Sequence, residues 1–310
     1  MVIYIISDGK RGHLSQTRGL AAALLQRAEE RRPGGGHSCH EVDITRLSWL
    51  GKLFYKGKDL SLPRPDLILC AGHGTHLAAL SLARHLRCLC MVCMKPSLPL
   101  GAFDLCIVPR HDLPKAQDGK RIFRTVGAIN CITPHPEVEK KETLVLIGGP
   151  SKEFLWDSEI VITQLTSIVQ ANAGSVVLTT SRRTPADFVQ DVTAACPSVR
   201  VEPVEETGPT WVADHLARAK EVWVTQDSVS MVYEALSSGS PVGVLELKRK
   251  KGNKPPSRVA RGLDMLTDDG SVNTFTAWAK THTLPKHESV LNEAGRTADY
   301  ILQHFPKLLP

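Results

Sequence analysis

Residues 224–246 read VTQDSVSMVYEALSSGSPVGVLE. The segment enters as a strand, because Val222, Trp223 and Val224 are β-branched or aromatic. It turns through Gln226 and Asp227. From Ser228 the apolar spacing becomes helical, with Val229, Val232, Tyr233 and Leu236 on one face. Gly239 stops that helix, and Pro241 opens the next apolar strand, 242–247. The unit is strand, turn, helix, strand, with Ser228 and Ser230 at the helix start. Such a start offers unpaired backbone N–H groups and a positive dipole end, which suits a phosphate. The plainer reading is that Ser228 only caps the helix. Glu234 follows about one and a half turns on.

Outward from this stretch, short strand-like runs alternate with longer helix-like ones. In the first half the predicted strands cover 2–6, 39–44, 67–70, 88–94 and 105–108, with helices over 14–31 and 76–85. PGGG at 33–36 lengthens one connection. After the polar, proline-containing CITPHPEVEKKE (131–142) the alternation restarts with strands 144–147 and 175–180. A doubled series of this kind predicts two doubly wound α/β domains. The expected limits are 1–138 and 139–285, followed by a segment 286–310 whose amphipathic helix can pack on either domain.

In such sheets ligands bind at the carboxyl ends of the strands. The first strand is followed by SDGKRGHLSQTRGLA (7–21), with Asp8, Gly9, Gly12 and His13. Its spacing matches neither a dinucleotide fingerprint nor a Walker loop. AGHGTHLA (71–78) is a second glycine–histidine turn, carrying Gly72, His73 and His76. A lone histidine in a turn is usually structural; two such turns at strand ends of one domain are harder to dismiss. In the second half IGGPSK (147–152) offers Gly148, Gly149 and Lys152, and TTSRRTP (179–185) offers Ser181, Arg182 and Arg183. Thr184 and Pro185 read as the cap and first turn of a helix. Two cations at a helix start need an anion or an acidic neighbour. With Gln226, Asp227, Ser228 and Ser230, these loops form a phosphate-binding constellation.

The chain has 310 residues and a formal net charge of +6. Its composition is that of a folded globular protein, and its length suits two domains. The densest basic run is LKRKKGNK (247–254), either a solvated loop or a contact for phosphates or an anionic membrane. No nucleic-acid signature accompanies it. No run is long and apolar enough to span a bilayer, and the first residues do not read as a signal peptide. A cytoplasmic, reducing location is expected, and the eight cysteines fit it because most lie in apolar strands. In RCLCMVCMKP, Cys88 and Cys90 share one strand face and Cys93 the other, so buried thiols are expected rather than a metal site.

SDGKRGHLSQTRGLA, SRRTP and VTQDSVSMVYEA resemble the signature segments of the mitochondrial fission "elongated mitochondria" family, which has many bacterial members. The resemblance spans nearly the whole chain. That family looks like the GT-B glycosyltransferases, whose two Rossmann-like domains face across a cleft. The resemblance implies that Ser228 and Ser230 hold a donor diphosphate, that Glu234 reaches the ribose hydroxyls, and that Gly148, Gly149 and Lys152 lie under the diphosphate or sugar. The Gly12–His13 turn is similar to the acceptor-side loop of the peptidoglycan glucosaminyl transferase.

The expected function is therefore transfer of a sugar from a nucleotide-sugar to an unidentified acceptor, without a metal or other cofactor. His13 is the leading base and Asp8 the second, with Gly9, Gly12, Gly72 and His73 on the acceptor side. A rival reading is a non-catalytic scaffold that uses the basic run at a membrane surface. A nucleotide-sugar epimerase is set aside here, because no dinucleotide fingerprint or Tyr-x-x-x-Lys pair is present.

Overall fold

The computed structural model describes residues 1–57, 60–172, 174–250, 257–286 and 289–309, with backbone alone at 258 and 259. The chain forms two compact units. The first comprises Met1–Cys131 with Asn292–Pro310, and the second Ile132–Leu291. The sequence had placed these limits at 138/139 and 285/286.

The first unit holds strands β1 (Val2–Ser7), β2 (Ser38–Asp43), β3 (Leu67–Ala71), β4 (Leu89–Cys93), β5 (Leu105–Pro109) and β6 (Ile122–Thr125). They form one parallel sheet in the order β2-β1-β3-β4-β5-β6. Its helices are α1 (Arg11–Arg31), α2 (Trp49–Leu53) and α3 (His76–Leu86). The second unit holds α4 (Ser158–Ala171), α5 (Phe188–Ala195), α6 (Trp211–Arg218), α7 (Val229–Ser237), α8 (Arg258–Asp268) and α9 (Phe275–Thr281). Its strands are β7 (Glu142–Leu146), β8 (Val176–Thr179), β9 (Val199–Glu202), β10 (Ala219–Thr225), β11 (Val242–Leu245) and β12 (Asn273–Thr274), in the parallel order β12-β11-β10-β7-β8-β9.

The strands are apolar because both faces of each parallel sheet are covered. In the first unit Ile3, Ile5, Leu67 and Leu69 face one core and Tyr4, Ile6, Ile68 and Cys70 the other. Cys90 and Cys93 also fall on opposite faces, as strand geometry demands. Both are buried thiols, and burial pushes Cys93 far up and adds to what Cys70 does to Cys90. Among the described residues no three His, Cys, Asp or Glu side chains gather as a metal ligand set. Nor is any described helix long and apolar enough to cross a membrane.

The final helix, expected over 286–305, forms only over Glu293–His304 (α10). It belongs to the first unit: Ala298, Ile301 and Leu302 enter the core beneath α1, and Arg27 pairs with Asp299 at 3.0 Å. Glu293 accepts the Val126 N–H at 2.8 Å, tying the helix to the exit of β6.

Both sheets have a topological switch point. In the first, chain order reverses between β1 and β3; in the second, between β7 and β10. Four of the loops singled out in the sequence follow these strands, and the fifth, 179–185, follows β8 beside β7.

Candidate functional site

At the switch point of the first unit, Gly9 (φ +76°) turns the chain from β1 into α1. This turn lets Asp8 reach forward to the first turn of the helix. His13 Nδ1 lies 3.0 Å from both Asp8 carboxylate oxygens. The Asp8 side chain is only 7% exposed. Burial alone would raise its pKa, but the hydrogen bond and charge of His13, aided by Lys10, bring it below the usual carboxylate range. With Nδ1–H donated to Asp8, His13 Nε2 is left as an acceptor.

The turn after β3 completes the setting. Gly72 has φ +84°, and a Cβ there would lie 2.0 Å from the His13 ring, so the imidazole occupies space that any other residue would fill. His73 Nδ1 meets Ser97 Oγ at 2.7 Å, and Ser97 Oγ meets His76 Nδ1 at 3.3 Å. His76 is buried, and burial, then the charges of His73 and His13, lower its pKa to about 4. It is a neutral core histidine. Asp8 and His13, which the sequence offered as competing bases, are one hydrogen-bonded pair in which the carboxylate orients the imidazole. Gly12 has open space where a Cβ would stand.

At the switch point of the second unit three loops are laced together. Asp227, whose side chain is fully buried, accepts from Gly149 N at 3.0 Å and Ser228 Oγ at 3.0 Å, and pairs with Arg183 Nη2 at 2.7 Å. Arg183 also donates to Ser228 Oγ and to the carbonyls of Gly149 and Pro150. Gly148 accepts from Ser181 Oγ at 2.9 Å and Thr184 Oγ1 at 2.5 Å. A Cβ on Gly148 would meet the Asp227 carboxylate at 2.2 Å and Ser228 Oγ at 2.4 Å. Glycine is required because the loops after β7 and β10 touch.

Several sequence expectations change here. Ser228 stands at the N-cap of α7, yet its hydroxyl makes no capping bond to the helix. It serves Asp227 and Arg183 instead. Thr184 does not cap a helix either: α5 begins later, after Asp187, and the Thr184 hydroxyl holds Gly148. Gln226 was expected to touch a donor, but its side-chain oxygen accepts from Leu247 N at 2.9 Å and fixes the exit of β11. Arg183, offered by the sequence alongside Arg182, is the knot of the three loops. Arg182 is exposed, and its guanidinium has no partner among the described residues. The ammonium of Lys152 is likewise exposed and unpaired.

The signal for Arg183 was present, since two cations before a helix needed an acidic neighbour and Asp227 was the buried one available. What the sequence lacked was a way to choose between adjacent arginines. The basic run is also partly absorbed. Leu155 N donates to Lys248 O, Lys250 N to Glu153 O, and Lys250 Nζ to Ser151 O at 2.7 Å. Arg249 pairs with Asp264. Residues 251–254 of that run lie outside the described residues.

One group near this lattice is left unanswered. Glu234 lies on α7 four residues after exposed Ser230, on the same helix face. Its carboxylate is half-buried and has no partner among the described residues. Burial alone pushes its pKa up to about 7. Among the described residues the amides of Val229, Ser230 and Met231 in the first turn have no hydrogen-bond partner, while Val232 N bonds back to Ser228 O. The arrangement combines free donors, nearby cations and, farther along the same helix, a free acceptor.

Comparison with known proteins is consistent with this architecture. The chain is 26% identical over 301 residues to the uncharacterized protein RP120 of Rickettsia prowazekii, covering 78% of this chain and 82% of that protein. It is 27% identical over 221 residues to the mitochondrial fission protein ELM1 of Arabidopsis thaliana, covering 59% of this chain and 50% of the plant protein. Among solved structures, the UDP-GlcNAc 2-epimerase of Methanocaldococcus jannaschii in complex with UDP-GlcNAc and UDP aligns with a TM-score of 0.52 at 13% identity, covering 99% of this chain and 100% of the epimerase. MurG of Acinetobacter baumannii aligns with a TM-score of 0.52 at 11% identity, covering 97% and 99%. These likenesses show the fold, two Rossmann-like domains of the GT-B kind. The family model described as mitochondrial fission ELM1 matches residues 11–305, and the chain belongs to that family.

Proposed function

We propose that this protein transfers a sugar from a nucleoside-diphosphate-sugar to an acceptor hydroxyl, with the donor held by the second unit and the base supplied by the first. The observation that carries the reading is Glu234: a desolvated carboxylate without a partner among the described residues, on the helix whose first-turn amides start the phosphate cradle. Two adjacent ribose hydroxyls can both donate to such a carboxylate. The diphosphate would lie at the start of α7, near the exposed cations of Arg182 and Lys152, with Gly148 and Gly149 allowing close approach. The solved complex of the fold relative with UDP-GlcNAc and UDP supports a nucleotide-sugar as ligand.

In this reading the acceptor hydroxyl gives its proton to His13 Nε2 and its oxygen attacks the anomeric carbon. The bond to the diphosphate breaks, and the leaving oxygen carries off the electron pair. Preorganised amides and cations stabilise the charge that develops there. Asp8 stabilises the imidazolium as it forms. Because helix amides and side-chain cations supply the positive potential, we propose that no metal is needed. UDP should raise the melting temperature equally in magnesium and in chelator.

Glu234→Ala provides the direct test by calorimetry. It should weaken a ribonucleoside diphosphate by about 1.5–3 kcal/mol, the scale of hydrogen bonds to a charged group. It should leave the 2′,3′-dideoxy analogue nearly unchanged. Equal losses for both ligands, or none, would remove Glu234 from the site. Failure of the wild-type protein to bind or cleave any nucleotide-sugar would favour the non-catalytic scaffold.

A further inference from the structure

The first unit carries a surface that the transfer reading does not use. Helix α2 is short, capped by Ser48 Oγ on Gly51 N at 3.1 Å. It turns its largest side chains outward: Trp49 is 65% exposed, Leu50 59% and Phe54, just past the helix, 67%. Three large apolar side chains this exposed within six positions are unusual on a folded surface. Beside them, between α2 and α3, lies a groove of about 500 Å³ with Leu53, Leu77, Leu80 and Leu98 among its walls and Lys56 and Arg84 on its rim.

The charge around this patch is mostly positive, with Asp43 beside Arg46 as the exception. Residues 43–57 contain Arg46, Lys52 and Lys56 against Asp43, and residues 67–103 contain Arg84, Arg87 and Lys95 and no Asp or Glu. Lys56, Arg84 and Lys95 are exposed, and none has a carboxylate partner among the described residues; exposed Arg46 has only the charge of Asp43 near it. Elsewhere the surface intersperses both signs, as in Arg18–Glu41 and Arg124–Asp118. Exposed Trp, Leu and Phe with surrounding Lys and Arg match an interface that is apolar within and anionic outside. A folded protein partner would have to bury the same apolar residues while supplying all of the opposing charge.

We propose that this face of the first unit, centred on Trp49, Leu50 and Phe54, docks on an anionic lipid bilayer. The patch adjoins the candidate acceptor loops. Thr45 contacts the position of Gly9, and Ser97, which bonds His73, precedes Leu98 of the groove wall. A bound bilayer would therefore lie beside the Asp8–His13 pair. The surface is independent of nucleotide binding, and it differs from the basic run of the second unit.

The test is co-sedimentation of the full chain with vesicles of phosphatidylcholine alone or mixed with phosphatidylglycerol. Binding should require the anionic lipid, weaken with salt, and fall by at least roughly tenfold in Trp49→Ser/Leu50→Ser/Phe54→Ser. Because these side chains are already in water, the variant should fold, which its response to UDP in a thermal shift and its circular dichroism report separately. Arg84→Glu/Lys56→Glu should weaken binding while leaving the apolar residues in place. Three outcomes would overturn the proposal: no binding to either vesicle, binding unchanged in the triple variant, or a wild-type oligomer that the triple variant dissolves without any lipid affinity. The last would make a second copy of the chain the occupant.

Discussion

Asp8 and Glu234 are carboxylates near the switch points of two similar sheets, and burial acts on both in the same direction. At Asp8 the His13 ring and Lys10 reverse that effect, and the group titrates below its ordinary range. At Glu234 no described residue answers, and the group rises to about 7. The difference lies in the partner rather than in desolvation. A buried carboxylate satisfied from within serves its neighbour, here by fixing the tautomer of His13. One left unsatisfied costs the fold stability, which fits a group reserved for a ligand.

The largest effects are expected on the Asp8–His13 side. His13→Ala should lower transfer by about 10²- to 10⁴-fold, the range of general acid–base catalysis, with donor affinity nearly intact. Asp8→Asn should fall almost as far although the ring remains. An amide that donates to Nδ1 turns the imidazole to its other tautomer and removes the free lone pair from Nε2. Separate measurement of transfer and of UDP affinity checks both. Full activity in Asp8→Asn would reduce Asp8 to a loop brace and end the contrast with Glu234.

The pH dependence of stability should have opposite signs at the two carboxylates. Glu234 has a folded value above its unfolded one, so the native state holds more protons between about pH 4.5 and 7, and stability declines as pH rises through that window. Glu234→Gln should equal the wild type near pH 4 and exceed it near pH 8, by at most roughly 3 kcal/mol. Asp8 has a lowered folded value, so its contribution is present above its unfolded value and is lost as pH falls through the folded one. Asp8→Asn should therefore be less stable than wild type at neutral pH and converge with it in acid. Denaturant melts of both variants across this range decide the matter, and the same sign in both would break the comparison.

Two glycines, one beside His13 and one beside Asp227, extend the contrast between the units. A methyl group at Gly72 collides with the His13 ring, and one at Gly148 with Asp227 and Ser228. Each alanine should cost about 1–3 kcal/mol of stability, the scale of overpacking. Gly72→Ala should then impair transfer and spare UDP binding, while Gly148→Ala should weaken UDP binding and transfer with it. If both variants lost UDP affinity alike, the assignment of donor and base to separate units would fail.

Much of this was legible in the sequence, because strand ends and glycine turns are local signals. The strand at 222–224, the helix from Val229 and the stop at Gly239 all follow from propensity and period, and the structure has them. The contacts between loops were not legible. Gln226 faces the backbone of Leu247, twenty-one positions away, and Thr184 leaves its expected cap to hold Gly148, thirty-six positions away. Both pairings are set by the order of strands in the sheet, which no short window encodes. Helix α2 escaped notice for a different reason. It is too short to show a period, and its apolar residues face outward, against the rule that any window is read by.

The smallest effects separate Arg182 from Arg183, which the sequence could not rank. Arg183 is engaged: it faces the buried Asp227 and donates to two carbonyls of the glycine loop. Its own half-exposure lets water screen the pair, so Arg183→Ala should cost about 1–2 kcal/mol rather than the full value of a buried bridge. Arg182→Ala removes a solvated side chain without a partner and should change stability by no more than about 0.5 kcal/mol. For UDP the expectation differs. A free, exposed cation acts through a screened field, so loss of Arg182 should weaken UDP at low salt and matter little once the Debye length shortens to about 8 Å near physiological ionic strength. Arg183 cannot turn to the ligand without leaving Asp227 buried and unpaired, so its loss should act through the loop and persist at all salt concentrations. Thermal melts and UDP titrations at two ionic strengths distinguish these roles. An Arg182→Ala variant that melts as early as Arg183→Ala would show that Arg182 holds the loop, and would leave the cradle with Lys152 as its free cation.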